Sequence, residues 1–280
     1  MRVKFGQFVG TRRALSILTT LLFIFSMSIL SSCAVVRSDS ITKIALLAPF
    51  EGRYREIGYN ALYAVRLAMQ DSGTQTIHLI AVDDGGSIES ATDRIQALNL
   101  NPDIEAIIVL GQFASHPTVQ QTNDKPLAMI GNWGYEKADE DTLIASHPDI
   151  TNQTSNIQDI TNIDLSKPTI GNDLLILEQI PDLYDDLSQL DIISSGTLPD
   201  TEFSARYSNS DLYVPDPNLL ATLTYDISRL VVETIETNTP IAETKYSGFN
   251  GEITFVDGYW HEAPLYHYHY EDNELVASTG

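Results

Sequence analysis

The chain has 280 residues, with 16 Lys and Arg against 38 Asp and Glu, for a formal net charge of −22. The basic residues before Cys33 (Arg2, Lys4, Arg12 and Arg13) stand in a stretch without an acid, so the remainder is more acidic still. Such a surface repels phosphate backbones and excludes nucleic acid as a partner, and a lone cysteine excludes an intramolecular disulfide or a thiolate metal cluster.

Residues 1–32 read as a secretory signal. A basic start leads into Ala14-Leu15-Ser16-Ile17-Leu18 and Leu21-Leu22-Phe23-Ile24-Phe25, and the small residues Ser31 and Ser32 precede Cys33. The ending Leu30-Ser31-Ser32-Cys33 resembles the bacterial lipobox, in which cleavage exposes a cysteine whose sulfur takes a diacylglyceryl group. Its apolar core is shorter than the ~20 residues of a spanning helix. The expectation is a lipoprotein signal peptide over 1–32, lipidation at Cys33 and a tether over 33–41. This places the protein outside the cytoplasm, held to the membrane by acyl chains.

Lys43 to Pro49 is a continuous apolar run, the pattern of a buried parallel strand. Apolar residues recur at helical spacing from Gly58 to Gln70, and Asp71-Ser72-Gly73 ends that helix. A second strand over 77–82 closes on Asp83-Asp84-Gly85-Gly86, and Ser87 caps a helix through Leu98. A third strand over 104–110 leads into Gly111 and a short helix from about Ser115, and a fourth spans 127–130. Strands alternating with helices predict an α/β fold, a parallel sheet covered on both faces.

The stretch 133–167 is polar and marks where the chain leaves the first lobe. Short strands at 169–170 and 191–193 flank a helix near 174–188, and 195–217 is rich in turn residues. Leu219 to Ile235 is the strongest helix of the second half. Residues 251–258 read as an extended strand, and 265–270 as the last one.

In that order the segments resemble leucine/isoleucine/valine-binding proteins, the type I periplasmic solute-binding proteins of ABC importers. The resemblance rests on Ile44 to Pro49 with Gly52, Tyr54 and Gly58, on Asp83 to Ser87, and on Ile108 to Gly111 followed by Ser115. It continues in Tyr225-Asp226 and Gly248-Phe249-Asn250-Gly251. It implies lobe 1 from 42–134 and 218–280, with a reduced lobe 2 and crossovers over 135–217. It further implies a small polar ligand such as an amino acid, and an ABC importer permease as partner. The alternative is a non-transport regulatory lipoprotein of the envelope that uses the same fold to bind a ligand or a protein.

By the same resemblance, Ser115 matches a serine that bonds a ligand carboxylate, or it caps the following helix. Asn132-Trp133-Gly134 occupy the second ligand loop, where Trp133 either stacks on a ligand or plugs an interface. Tyr54 either closes the pocket rim or decorates the surface. Asp173 either pairs with a ligand ammonium or caps the helix after it. Asp83 and Asp84 read as a solvated turn. His267 and His269 share a strand face with Glu271, a pattern open to zinc or to an ordinary strand among Tyr266, Tyr268 and Tyr270. No metal, cofactor or catalytic residue is assigned, because the chain carries no GxSxG, HExxH, Walker or GxGxxG pattern.

Overall fold

The computed structural model describes residues 41–134, 142–155 and 157–278. The expected export signal, Cys33 and all of the expected tether except Ile41 lie outside the described residues.

The first sheet is built as the continuous apolar runs require. β1 (Thr42–Ala48), β2 (Ile77–Asp83), β3 (Ile104–Val109), β4 (Leu127–Ile130) and β5 (Thr142–Ala145) lie parallel in the order β2-β1-β3-β4-β5. Ile44 to Ala48 are fully buried, as strands covered on both faces must be. β10 (Phe255–Val256) and β11 (Tyr259–Trp260) extend the sheet beyond β5.

Helix α1 (Arg55–Ser72) packs along α7 (Leu219–Thr237), and α7 also meets β3 and β4. α2 (Ile88–Asn99) packs on β1 and on α3 (Pro117–Thr122). Ser87 caps α2 by accepting from Ser90 N at 3.1 Å. α3 is capped by His116, whose Nδ1 accepts from Thr118 N. Ser115 therefore lies before the cap and does not serve as one.

A second sheet has the order β13-β12-β7-β6. β6 (Thr169–Gly171) and β7 (Leu190–Ser194) are parallel, and β12 (Tyr266–Glu271) and β13 (Glu274–Ala277) run antiparallel beside them. Here the chain departs from the expected partition. β5 lies within 135–217 but pairs with β4 in the first sheet, because Thr142 to Ala145 are four buried residues inside a polar stretch. β12 and β13 lie within 218–280 but join the second sheet, where Tyr268 is buried on β12.

The helix expected near 174–188 is broken into a 3-10 turn (Asp173–Ile176) and a short α5 (Ile180–Leu183) with Pro181 in its first turn. The short helices α4 (Ile150–Gln153) and α6 (Thr201–Ser208) lie in stretches read as irregular. The strand expected over 251–258 is divided between β9 (Gly251–Ile253), which forms a hairpin with β8 (Tyr246–Gly248), and β10 of the first sheet.

The resemblance signatures of the second half are structural. Asp226, fully buried on α7, accepts from Phe249 N (3.1 Å), Asn250 N (2.8 Å) and Asn250 Nδ2 (2.7 Å). Asn250 Oδ1 in turn accepts from Thr197 N at 2.7 Å, tying down the chain after β7. A Cβ at position 248 would lie 2.1 Å from Asp226 Oδ1, so only glycine lets the carboxylate approach.

Candidate functional site

Strands of a parallel sheet end on one edge, where their loops gather and ligands of open α/β sheets bind. The register pairs Val109 with Met129, so the loops carrying Gln112 and Asn132 leave neighbouring strands on the same edge. Ser115 follows in the β3 loop, and Asp83 and Asp84 end β2 farther along the edge.

These loops carry buried polar atoms that other protein groups do not satisfy. Ser115 and Asn132 are both fully buried, yet Ser115 Oγ and Asn132 Nδ2 have no hydrogen-bond partner in the protein. Asn132 Oδ1 accepts from Gly134 N at 3.1 Å, which fixes the amide and leaves Nδ2 as the unused donor. Gln112 Oε1 and Asp84 Oδ2 are unpartnered acceptors at the same edge. A buried polar atom without a partner costs about 1–3 kcal/mol. Among the described residues such atoms also occur at Thr74 and Asn123 and on α7 at Thr224 and Ser228; at this edge they come from successive loops.

Asp84 departs from the solvated turn that the sequence predicts. It is 1% exposed, and burial, helped by the charge of Asp83, pushes its carboxyl up to about 6. Asp83 organises the turn, accepting from Phe50 N (2.6 Å), Glu51 N (3.1 Å) and Gly85 N (2.9 Å).

The sequence-assigned residues fall into four settings. Asn132 and Asp173 meet, with Asn132 N donating to Asp173 Oδ2 at 2.6 Å, so one oxygen of the carboxylate expected to face a ligand ammonium already serves the backbone. Asn172, not Asp173, caps the following turn through its Oδ1 to Leu174 N. Trp133 is buried in the main core with Nε1 donating to Ile130 O at 2.8 Å, the setting of a plug. Ser115 is hydrogen-bonded through its backbone, with N donating to Gly111 O and O accepting from Gln120 Nε2.

Tyr54 is at a rim. It lines a cavity of about 420 Å³ with Arg53, Ile88, Gln112, Phe113, Gln158 and Asp159. Its hydroxyl lies 3.5 Å from Gln158 O, and burial followed by the Asp159 charge raises its pKa. Gln112 and Asp159 escaped the sequence reading; for Gln112 the available signal was its place directly after the strand-ending Gly111. A larger cavity of about 850 Å³ is lined by Arg53, Arg55, Glu56, Tyr63, Glu178 and Tyr213 among others, and holds none of the unpartnered edge atoms. The smaller cavity has Gln112 in its wall, and Ser115 and Asn132 line neither cavity.

The histidines of β12 are engaged by separate partners. His267 Nδ1 lies 2.7 Å from Asp191 Oδ2, and His269 Nδ1 lies 3.1 Å from Ser278 Oγ.

Known structures place this architecture. An extracellular ligand-binding receptor from Desulfohalobium retbaense is 14% identical with a TM-score of 0.64, the match covering 85% of this chain and 59% of that one. The branched-chain amino acid transporter substrate-binding protein LivJ from Streptococcus pneumoniae, in complex with isoleucine, is 14% identical with a TM-score of 0.61, covering 85% and 99%. A solute-binding protein of an ABC transporter from R. palustris, in complex with benzoate, is 13% identical with a TM-score of 0.60, covering 84% and 94%. The chain has the type I periplasmic-binding-protein fold. No family model and no curated protein matches the sequence. Within this type I fold, the edge carrying Gln112, Ser115 and Asn132 lies at the C-terminal ends of the parallel strands. The chain spans well under two thirds of the Desulfohalobium receptor. Among the described residues, no helix is long and apolar enough to cross a membrane.

Proposed function

We propose that this protein is an extracytoplasmic solute-binding protein that takes a small carboxylate-bearing solute at the strand edge carrying Ser115 and Asn132 and hands it to an ABC importer. The observation that carries the reading is the pair of buried, unpartnered donors, Ser115 Oγ and Asn132 Nδ2, on neighbouring loops of the strand edge. A carboxylate oxygen is the acceptor such donors lack, and the fold neighbours bound to isoleucine and to benzoate hold ligands that share this group. Cys33 is the proposed lipid anchor; Cys33→Ser should leave the protein unprocessed or released, read by its mass and by membrane fractionation.

A second reading is a non-transport binding module. It is favoured by one observation: Asp173 already serves the Asn132 N–H, and Trp133 is packed into the core. A thermal-shift screen with amino acids and aromatic carboxylates separates the two. A solute-binding protein gains melting temperature by mass action and loses that gain in Ser115→Ala. A partner module shows no shift with any of them and co-purifies with an envelope protein.

A further inference from the structure

The loop between α6 and α7 presents two bare apolar side chains. Leu212 is 75% exposed, and Tyr213, at 95%, is the most exposed large apolar residue among those described. Tyr213 also takes φ +62°, a left-handed backbone that is strained for a residue with a Cβ. One stripe of α1 holds the loop in this shape, since residues 60, 63, 66 and 70 recur at helical spacing. Arg66 Nη1 pairs with Asp211 at 2.8 Å, Tyr63 Oη donates to Leu212 O at 3.2 Å, and Gln70 Nε2 donates to Ser210 O at 3.4 Å. At the end of the loop Asn218 N donates to Asn60 Oδ1 at 3.1 Å. A strained, braced aromatic with almost none of its surface packed against its own chain is placed for a contact outside it.

Tyr213 lines the 850 Å³ cavity together with Pro215 and with Tyr59, itself 40% exposed. Another wall is the β6–β7 crossover, tied to α1 where Glu178 N donates to Glu56 Oε2 at 3.0 Å. The lining holds two cations, Arg53 and Arg55, and three acids, Glu56, Glu178 and Asp182. The segments that reach it are more acidic still: from Glu178 to Asp216 the chain carries nine acids and one base, Arg206. Arg206 is already paired with Asp71. Asp185, Asp186 and Asp216 are exposed and have no ion pair among the described residues. A second copy of this chain, or an anionic lipid surface, would bring like charge to these segments; a basic protein face brings attraction.

We propose that Leu212 and Tyr213 are a docking knob for a basic protein partner, whose Lys and Arg residues surround an apolar socket for the Tyr213 ring. The acids steer the partner in, and the braced loop loses little freedom when the ring is buried. Ser115 and Asn132 do not line this cavity, so failure of the docking leaves the solute-binding reading standing.

The test replaces Leu212 with the photo-crosslinker benzoylphenylalanine in the full chain, on intact envelopes of cells that make it. The crosslinked peptide is read by mass spectrometry. Capture should fall on one protein, through a segment rich in Lys or Arg, and should weaken severalfold in about 1 M salt, which screens charge within a few Å. Adding Tyr213→Gly should lower the yield roughly tenfold, as loss of a central aromatic anchor does. In the purified chain, Tyr213→Gly should leave the unfolding midpoint unchanged or raised, because glycine suits the positive φ. The knob is overturned by an absent crosslink, by capture of lipid, of this chain or of an acidic segment, or by a yield indifferent to Tyr213→Gly. It is equally overturned if Tyr213→Gly destabilises the fold, since the ring would then be structural.

Discussion

The two sheets dispose of their polar groups in opposite ways. Around the second sheet, short strands are joined by turns whose polar atoms find partners nearby. Tyr184 Oη donates to Ile160 O (2.7 Å) and accepts from Ile163 N (2.9 Å), and Tyr270 Oη donates to Leu175 O (2.9 Å). Asp159, Asp164 and Asp186 each take hydrogen bonds from the residue two places on, which lowers their pKa values. The first sheet's C-terminal edge leaves Asp84, Gln112, Ser115 and Asn132 with buried atoms unpartnered. Among the described residues the strands of neither sheet contribute such an atom, so the edge loops carry the difference. Satisfied polar groups hold a fold together; unsatisfied ones gathered at one edge mark where a ligand belongs.

Mutations can break this contrast. The largest loss should come from Ile108→Ala, in the centre of β3 and fully buried, at about 4 kcal/mol within the usual range for such cavities. Asp226→Ala leaves three donors at 249–250 without their acceptor and should cost on the order of 3 kcal/mol. Denaturant unfolding reads both, and a cost under about 1 kcal/mol for Asp226→Ala would show that the 248–250 turn holds itself.

Asp84→Asn should act in the opposite direction. The folded-state pKa of Asp84 is raised from 3.8 to about 6, so its contribution is fully present below pH 3.8 and is lost as pH rises through 6. Asparagine keeps an acceptor for Gly86 N without the buried charge. The variant should gain about 3 kcal/mol over wild type at pH 8 and almost nothing at pH 3.5; a gain independent of pH would mean that charge is not the cause. Tyr184→Phe should cost about 1 kcal/mol, the smallest effect of the set and the direct measure of polar stitching beneath the second sheet.

What the sequence made legible follows the same division. β1 to β4, α1, α2 and α7 announce themselves through unbroken apolar runs or helical spacing, and each lies within three residues of where that pattern places it. β5 was hidden because four buried residues in a polar stretch give no periodicity. β12 was visible as a strand, but its pairing with β7 is a contact across more than 70 residues that no local pattern encodes. Within the site, Ser115 and Asn132 could be read from their place after strands. That Asp173 serves the Asn132 backbone, and that Glu56 joins α1 to the crossover, are facts of tertiary packing alone.

The central claim is that the unpartnered groups at the first sheet's edge are there for a ligand. The most direct test measures Ser115→Ala twice, once for stability and once, by calorimetric titration, for affinity toward a carboxylate that stabilises the wild type. Because Ser115 Oγ has no partner in the protein, removing it should leave stability unchanged or slightly raised and should weaken binding by about 1–3 kcal/mol. A variant that loses stability by that amount and binds as tightly as wild type would make Ser115 a structural residue and place the ligand elsewhere.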